Sequence, residues 1–142
     1  MNLALKYPTY SPRIRQQQGQ PHIFDFIRRR WLVLTPEEWV RQHVLNYLVT
    51  IKNYPPASIA VEKELELNDL KKRFDIVVYS RTMQPLLIVE CKAPYIALNE
   101  GVLEQALRYN LILKAPFIMI TNGVSDAVYV AGQRVEELPA AQ

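Results

Sequence analysis

The sequence has a single cysteine, Cys91, among its 142 residues. A lone cysteine cannot form an internal disulfide, which is typical of proteins kept in a reducing compartment. The longest apolar runs, such as LLIV and FIMI, are far too short to cross a bilayer as a helix. The chain does not open with a basic segment followed by an apolar run, so we expect no secretory signal. These absences together predict a cytoplasmic protein without a membrane-spanning segment.

The composition is ordinary for a globular protein, but the charge is unevenly distributed. The chain is 49% hydrophobic and 22% charged, and its length predicts one domain that buries a core. Residues 1–35 contain six basic residues and one acidic residue, a net charge of +5, whereas the remainder carries −2. A basic arm on a slightly acidic body suits a polyanion partner, and a solvated terminal tail is the alternative.

The first 34 residues give the weakest structural signals. Residues 1–21 contain three prolines and the run QQQGQ, which favour an extended or poorly ordered basic N-terminal arm. Residues 22–142 are predicted to form the folded domain. Within it, residues 22–34 contain strand-like pieces around a triple arginine (Arg28, Arg29 and Arg30), without a pattern that fixes their type.

A helix is predicted to begin directly after Thr35. This threonine is a suitable N-cap, Pro36 suits the first helical position, and Glu38 stands three residues after the cap. The helix is predicted to run to about Lys52, before the sequence Tyr-Pro-Pro. Its apolar stripe consists of Val40, Val44, Leu48 and Ile51.

The remaining pattern predicts strands, with one further helix among them. Residues 58–67 alternate strictly, which predicts a strand with the glutamates 62, 64 and 66 on a solvated side. Strands are also predicted at 74–79, at 86–92 (buried on both faces), at FIMIT and at VYVAG, with a helix over 99–113 capped by Asn99. We therefore predict an α/β fold with a mixed central β-sheet flanked by helices, in the order α-β-β-β-α-β-β. The second helix should connect a parallel pair of strands.

Acidic and basic side chains meet at the ends of two predicted strands. Asp75 lies near the start of one strand, and Glu90 and Lys92 lie at the end of the next. Residues two apart on a strand point to the same side, so a short turn between the strands can bring all three together. Two carboxylates and the backbone carbonyl of Cys91 would suit Mg²⁺ or Mn²⁺. The alternative is a buried salt-bridge triad in which Lys92 joins the two carboxylates.

The first predicted helix offers a further carboxylate. At about 100° per residue, Glu37 falls about 60° from Val40, inside the apolar stripe, and Glu38 falls at about 160°, facing away. The side chain of Glu38 is therefore explained as the capping-box partner of Thr35. Glu37 points toward the sheet, where it would join a metal site or form a salt bridge with Arg41.

The second predicted helix places Gln105 and Tyr109 four residues apart on one face. These side chains could hydrogen-bond Lys92 or a phosphate and base of a substrate. The alternative is that Tyr109 is a core aromatic residue and Gln105 a boundary residue.

Taken together, these residues resemble the PD-(D/E)xK nuclease superfamily. They are most similar to the N-terminal nuclease domain of type I restriction endonuclease R subunits, in a short stand-alone form, over roughly residues 22–123. The matching motifs are Glu37 and Arg41 in TPEEWVRQ, Asp75 in RFDIVV, Glu90 and Lys92 in VECKAP, Gln105 and Tyr109 in EQALRYN, and the Thr-Asn-Gly at 121–123. In one departure, Phe74 rather than proline precedes the strand aspartate.

The resemblance implies a restriction-endonuclease-like core and an endonuclease that hydrolyses DNA with Mg²⁺ or Mn²⁺. Asp75, Glu90 and Glu37 would hold the metal, together with the Cys91 carbonyl. Lys92 would serve the attacking water, and Gln105 and Tyr109 would support the lysine and the substrate. We expect DNA contacts from four arginines, namely Arg28, Arg29, Arg30 and Arg41.

The resemblance also suggests partners. The sequence contains no GxxxxGK[ST] phosphate loop, so we expect no ATP-driven translocation by this chain. DNA and restriction-modification subunits are the expected partners, and a homodimer is left open because double-strand cleavage needs two sites. A non-catalytic nucleic-acid-binding module and a purely structural domain with a salt-bridge cluster are the alternatives.

Overall fold

The computed structural model describes residues 3–141 as two β-sheets, two α-helices, a π-helical turn and a short 3-10 helix over Pro56–Ser58. The strands are β1 (Ile14–Gln17), β2 (Gln20–Asp25), β3 (Arg30–Val33), β4 (Ile59–Leu67), β5 (Leu70–Tyr79), β6 (Pro85–Cys91), β7 (Phe117–Thr121), β8 (Asp126–Val130) and β9 (Gln133–Val135). The helices are α1 (Pro36–Asn46) and α2 (Glu100–Leu113). The fold is therefore mixed α/β, as predicted from the sequence.

The larger sheet has six strands in the order β4-β5-β6-β7-β8-β9. Strands β6 and β7 are parallel, and the other neighbours are antiparallel. Helix α2 connects the parallel pair, which confirms the predicted crossover. Six of the seven residues of β6 are buried, because helices cover both faces of this part of the sheet.

Helix α1 begins where its cap predicts. The Oγ1 atom of Thr35 accepts a hydrogen bond of 3.0 Å from the backbone nitrogen of Glu38. A π-helical turn over Tyr47–Ile51 prolongs the helix, so the predicted end near Lys52 is confirmed. Apolar residues of α1, among them Val40 and Val44, pack against one face of the larger sheet.

Helix α2 covers the opposite face of the larger sheet. Asn99 caps it by accepting a hydrogen bond of 3.1 Å from the backbone nitrogen of Val102, as predicted. Lys114, directly after the last helical residue, caps the C-terminal end of α2 and adopts a left-handed conformation with φ of 56°. Ala106 is buried against a cluster that consists of Phe74, Val77, Ile88, Ile118 and Ile120, together with Ala115.

The N-terminal region folds as a second sheet, of three antiparallel strands in the order β1-β2-β3. We expected an extended or poorly ordered arm over residues 1–21, but β1 and the start of β2 lie there. Gln18 and Gly19, both with positive φ, form the two-residue turn between these strands. Ile23 of this sheet is buried against Trp39 of α1. Helix α1 is therefore enclosed between the two sheets.

The segment before β1 is also attached to the body of the protein. The hydroxyl group of Tyr7 lies 2.7 Å from Thr121 Oγ1, and it donates a hydrogen bond of 3.0 Å to Asp126. The indole nitrogen of Trp39 donates to the carbonyl oxygen of Leu3 at 2.9 Å. Across residues 3–141, no helix combines the length and the apolar character needed to span a membrane.

Candidate active site

The predicted acidic residues of β5 and β6 are neighbours in the structure. Ile76 pairs with Val89, so Asp75 and Glu90 occupy the next position along the two antiparallel strands. The Oδ2 atom of Asp75 accepts a hydrogen bond of 2.8 Å from the backbone nitrogen of Cys91. The short hairpin between the strands thus brings the aspartate to the Glu-Cys-Lys sequence.

Glu90 is buried beside this aspartate. Burial, and then the negative charge of Asp75, raise the pKa of Glu90 from 4.5 to about 7, although Lys72 and Lys92 oppose the shift. Its Oε1 atom is buried and receives no hydrogen bond within residues 3–141. A hydrogen bond between the carboxyl groups of Glu90 and Asp75 adds to the raised pKa of Glu90. An unsatisfied buried carboxylate oxygen is costly unless the carboxyl group is protonated or another group, such as a cation, is bound there.

Lys92 and Glu37 lie at the border of the same patch. The positive charge of Lys92 acts on the carboxyl groups of both Glu37 and Glu90. Glu37 is exposed on the first turn of α1, and the partial burial of its carboxyl group together with the charge of Asp75 raises its pKa. The charges of Asp75 and Lys92 thus act on both Glu37 and Glu90.

Cys91 contributes to the patch through its backbone. Its side chain lies on the other side of β6, in the core beneath α1. Burial, and then the charge of Asp75, raise the pKa of the Cys91 thiol. The thiol therefore stays protonated, and only the backbone nitrogen is seen to bind an acidic side chain.

The strand opposite Asp75 is distorted. The ladder between β4 and β5 joins Val61 to Ile76 and Lys63 to Phe74, and Glu62 between them adopts φ of 53°. This left-handed conformation is unfavourable for a residue with a Cβ atom and often marks a functional or strained position. The prediction that Glu62 faces solvent is wrong, because the kink turns its carboxylate toward Arg28 and Arg41. We use the term internal cluster for these two arginines and their carboxylate partners Asp25, Glu38 and Glu62.

Glu38 also lies in this cluster, contrary to the sequence prediction. Its side chain is buried, and it accepts hydrogen bonds of 3.1 Å each from Nε and Nη2 of Arg41. Gln42 donates a further bond of 2.9 Å to Glu38. The backbone cap on Thr35 was predicted correctly. The outward orientation of Glu38 was wrong, because the N-terminal sheet covers that side of α1.

Arg41 connects the internal cluster with the acidic patch, the term we use for Glu37, Asp75, Glu90 and Lys92. Its Nη1 atom lies 3.1 Å from Asp75 Oδ1 and 2.9 Å from Glu62 Oε1. The side chain of Arg41 is only 7% exposed. Its ion-pair partners in the described chain are therefore Glu38, Glu62 and Asp75. The salt bridge between Arg41 and Glu37, one of the two alternatives from the sequence, is not among them.

Arg28 also forms ion pairs with carboxylates inside the protein. It lies 2.7 Å from Asp25 and 3.1 Å from Glu62, and its side chain is 13% exposed. Burial would raise the pKa of Asp25, but hydrogen bonds from Arg28 and Gln42 hold that pKa below its ordinary value. Arg28 and Arg41, both predicted to bind DNA, are thus paired with carboxylates inside the protein. Arg29 and Arg30 are exposed.

Sequence reasoning missed Lys72. Its Nζ atom lies 3.7 Å from Glu90 Oε2 and 4.4 Å from the centre of the Tyr109 ring. The sequence did contain a signal for this contact. Lys72 stands two residues before Phe74, so in a strand that extends to residue 72 the two side chains point to the same face. Tyr109 thus reaches the patch through Lys72, whereas Gln105 is exposed on α2.

The donor set is compatible with a hard divalent cation. Asp75 and Glu90 offer neighbouring carboxylate oxygens, one of them buried and unpartnered, which suits Mg²⁺ or Mn²⁺. Residues 3–141 contain no group of three or more His, Cys, Asp or Glu side chains arranged to hold a metal. A third protein ligand would therefore require a movement of Glu37 or the use of a backbone carbonyl.

The fold and the patch define an α/β protein with two carboxylates side by side on adjacent strands and two lysines close to them. The family described as type I restriction enzyme R protein N terminus matches residues 36–140. The chain belongs to this family. The match begins at the start of α1 and includes the acidic patch, whereas strands β1 to β3 precede it. No curated protein is a match for this sequence.

Proposed function

We propose that the protein is a divalent-metal-dependent DNA endonuclease of a restriction system, built on a PD-(D/E)xK restriction-endonuclease-like core. One observation carries this proposal. Asp75, in the middle of β5, and Glu90, near the end of β6, lie side by side, a buried oxygen of Glu90 receives no hydrogen bond, and Lys92 is close. The family match supports the restriction context.

Each residue of the patch has a proposed role. Asp75, Glu90, Glu37 and the Cys91 carbonyl would hold Mg²⁺ or Mn²⁺. Such an ion polarises a phosphate oxygen and lowers the pKa of bound water. Lys92, on the same strand face as Glu90, orients the attacking water or stabilises charge on the phosphoryl group.

The second helix has a supporting role in this proposal. Tyr109 holds Lys72 against Glu90, and this contact positions the carboxylate and adds positive charge near the phosphate. Gln105 would contact the substrate from the exposed surface of α2.

DNA and restriction-modification subunits are the proposed partners. A homodimer would allow cleavage of both strands. The absence of ATP-dependent activity and the cytoplasmic location stay predictions from the sequence.

A non-catalytic DNA-binding module is the alternative function. It is favoured by the contacts of Asp75, since Arg41 binds one oxygen of this carboxylate and the Cys91 nitrogen binds the other. Catalysis through the first mechanism therefore requires Asp75 to accept a metal in addition to these partners or to exchange one of them.

Cleavage of DNA distinguishes the two functions. Supercoiled, linear, branched and single-stranded DNA are incubated with the protein in Mg²⁺, in Mn²⁺ and in EDTA. We expect cleavage of at least one form that requires the metal and disappears in Lys92→Ala, while DNA affinity is kept. Binding without cleavage in all four forms would favour the non-catalytic module, and cleavage that persists in Lys92→Ala would contradict the proposed site.

A further inference from the structure

The N-terminal sheet has one buried face and one outward face. Side chains alternate along each strand, and Ile23 and Leu32 point toward Trp39 of α1. The positions between them therefore point outward, so that Phe24 pairs with Trp31 across the strands on this side. We use the term cationic face for the outward residues Arg13, Arg15, Phe24 and Trp31.

The aromatic rings of the cationic face hold its two arginines. The guanidinium carbon of Arg13 lies 4.5 Å from the centre of the Phe24 ring, and that of Arg15 lies 4.2 Å from the centre of the Trp31 ring. The two rings meet edge to face, with their centres 5.3 Å apart. Such cation–π contacts favour particular guanidinium positions without using their N–H donors.

These two arginines differ from those of the internal cluster. Arg13 and Arg15 are exposed, and within residues 3–141 neither forms a salt bridge with a carboxylate. The Nη2 atom of Arg15 donates a hydrogen bond of 2.8 Å to the uncharged side chain of Gln17. The sequence from Leu3 to Phe24 contains no acidic residue. The adjacent Asp25 is fully buried and bound to Arg28. The positive charge of the cationic face is therefore uncompensated.

We propose that the cationic face binds the sugar-phosphate backbone of DNA, with Arg13 and Arg15 each pairing with a phosphate group. Arg13 directly precedes β1, and its carbonyl oxygen accepts a hydrogen bond of 2.9 Å from the backbone nitrogen of Phe24, so the pairing with β2 continues to this residue. Residues two apart on such an extended segment are separated by about 6.6 to 6.8 Å, so the two arginines can contact different phosphates of one backbone. The planar guanidinium group binds phosphate through two parallel hydrogen bonds. This inference rests on the proposed function only in choosing DNA as the polyanion.

The cationic face is separate from the acidic patch. It precedes residue 36, where the family match begins, and it shares no residue with the site described above. The sheet that carries it is packed on α1 through Ile23, Leu34 and Trp39. DNA bound there would be held in a fixed relation to α1, whose first turn carries Glu37.

The test compares two double variants of the full chain. Arg13→Gln/Arg15→Gln removes the proposed contacts, and Arg81→Gln/Arg134→Gln removes two exposed arginines elsewhere, one of them in the turn before β6. Anisotropy of a labelled DNA duplex is measured in EDTA over a series of salt concentrations. Matching thermal unfolding midpoints show that both variants are folded.

We expect the first double variant to lose roughly tenfold or more in affinity at low salt. The slope of log affinity against log salt should fall by about 1.8, because two phosphate contacts are lost. The second double variant should keep the wild-type slope. Equal behaviour of the two variants, or failure of the wild type to bind the duplex at low salt, would overturn the proposal.

Tryptophan fluorescence gives a second readout. The chain has two tryptophans, and Trp39 is buried while Trp31 lies on the cationic face. DNA should change the emission of the wild type and leave that of Trp31→Phe unchanged. A wild-type emission that does not respond while anisotropy reports binding would place the DNA elsewhere and overturn the proposal.

The two proposals fail in different ways. If the wild type binds DNA through Arg13 and Arg15 but cleaves nothing, the nuclease function fails and the cationic face stands. If the wild type cleaves DNA and Arg13→Gln/Arg15→Gln keeps both its affinity and its salt slope, the cationic face fails and the nuclease stands.

Discussion

Lys72 and Glu90 form an ion pair across β5 and β6, with 3.7 Å between Nζ and Oε2. The Tyr109 ring covers the ammonium group from α2. Lys72 is therefore one of the cations that limit the rise in the pKa of Glu90 caused by burial and by Asp75. This pair connects helix α2 to the acidic patch.

Lys72→Met should raise the pKa of Glu90 above about 7, because it removes a nearby positive charge and keeps most of the side-chain volume. The shift can be followed by carboxyl-carbon NMR during a pH titration. Lys71→Met is the matched control, since Lys71 pairs with Glu64 at the surface. An equal shift in both variants would mean that Lys72 acts only through net charge.

The contribution of Glu90 to the stability of the metal-free protein should fall as pH rises from about 4.5 to about 7. The folded-state pKa of Glu90 is raised to about 7, so the stability linked to its protonated form is fully present below pH 4.5 and is lost as pH rises through 7. The free energy of unfolding of Glu90→Gln should therefore rise relative to that of the wild type as pH rises, by on the order of 2 to 3 kcal/mol at alkaline pH.

Urea unfolding in EDTA, at about pH 5 and about pH 8, measures this difference. Glu104→Gln changes an exposed position on α2 and is the control. Its free energy of unfolding should differ from that of the wild type by the same amount at both pH values. A constant difference between Glu90→Gln and the wild type at both pH values would contradict the raised pKa.

Of the three consecutive arginines, Arg28 should be required for stability, whereas Arg29 and Arg30 should not. Arg28→Gln leaves the buried Asp25 without its cation and should cost about 3 to 5 kcal/mol in the free energy of unfolding. Arg29→Gln and Arg30→Gln should each stay within about 0.5 kcal/mol of the wild type. Denaturant unfolding measures all three variants. A stable Arg28→Gln would show that the internal cluster does not require this charge.

This prediction changes how the arginines are tested for DNA binding. Neutralising all three together would mix a folding defect with any loss of phosphate contacts. The pair Arg29 and Arg30 is exposed and can be neutralised alone. A loss of affinity in that pair, with normal stability, would support the original DNA-binding prediction for these two residues.

Elements with local signals were predicted well from the sequence. The caps at Thr35 and Asn99 start α1 and α2 where expected. The apolar strand over β6 and the short turn before it were sufficient to predict that Asp75 meets Glu90. In each case the determining residues are near neighbours in the sequence or pack within one hairpin.

Features that depend on distant contacts were not predicted. The N-terminal sheet was missed because its first turn uses Gln18 with positive φ, a conformation that glutamine rarely adopts. Glu38 and Glu62 were assigned to solvent because a helical or strand period does not reveal a second sheet above α1. The arginine partners of Glu62 come from other elements, so no local pattern shows them. Glu38 pairs with Arg41 three residues further along α1, and what the helical period does not reveal is that this pair is buried.

The proposed nuclease requires Asp75 and Glu90 to hold a divalent metal together. The most direct measurement is the anomalous difference density of crystals grown or soaked in Mn²⁺, with Glu90→Gln as the comparison. We expect a peak between the two carboxylates in the wild type and its loss in the variant. Peaks found only elsewhere, or no peak at saturating Mn²⁺ with Asp75 still bound to Arg41, would contradict the account.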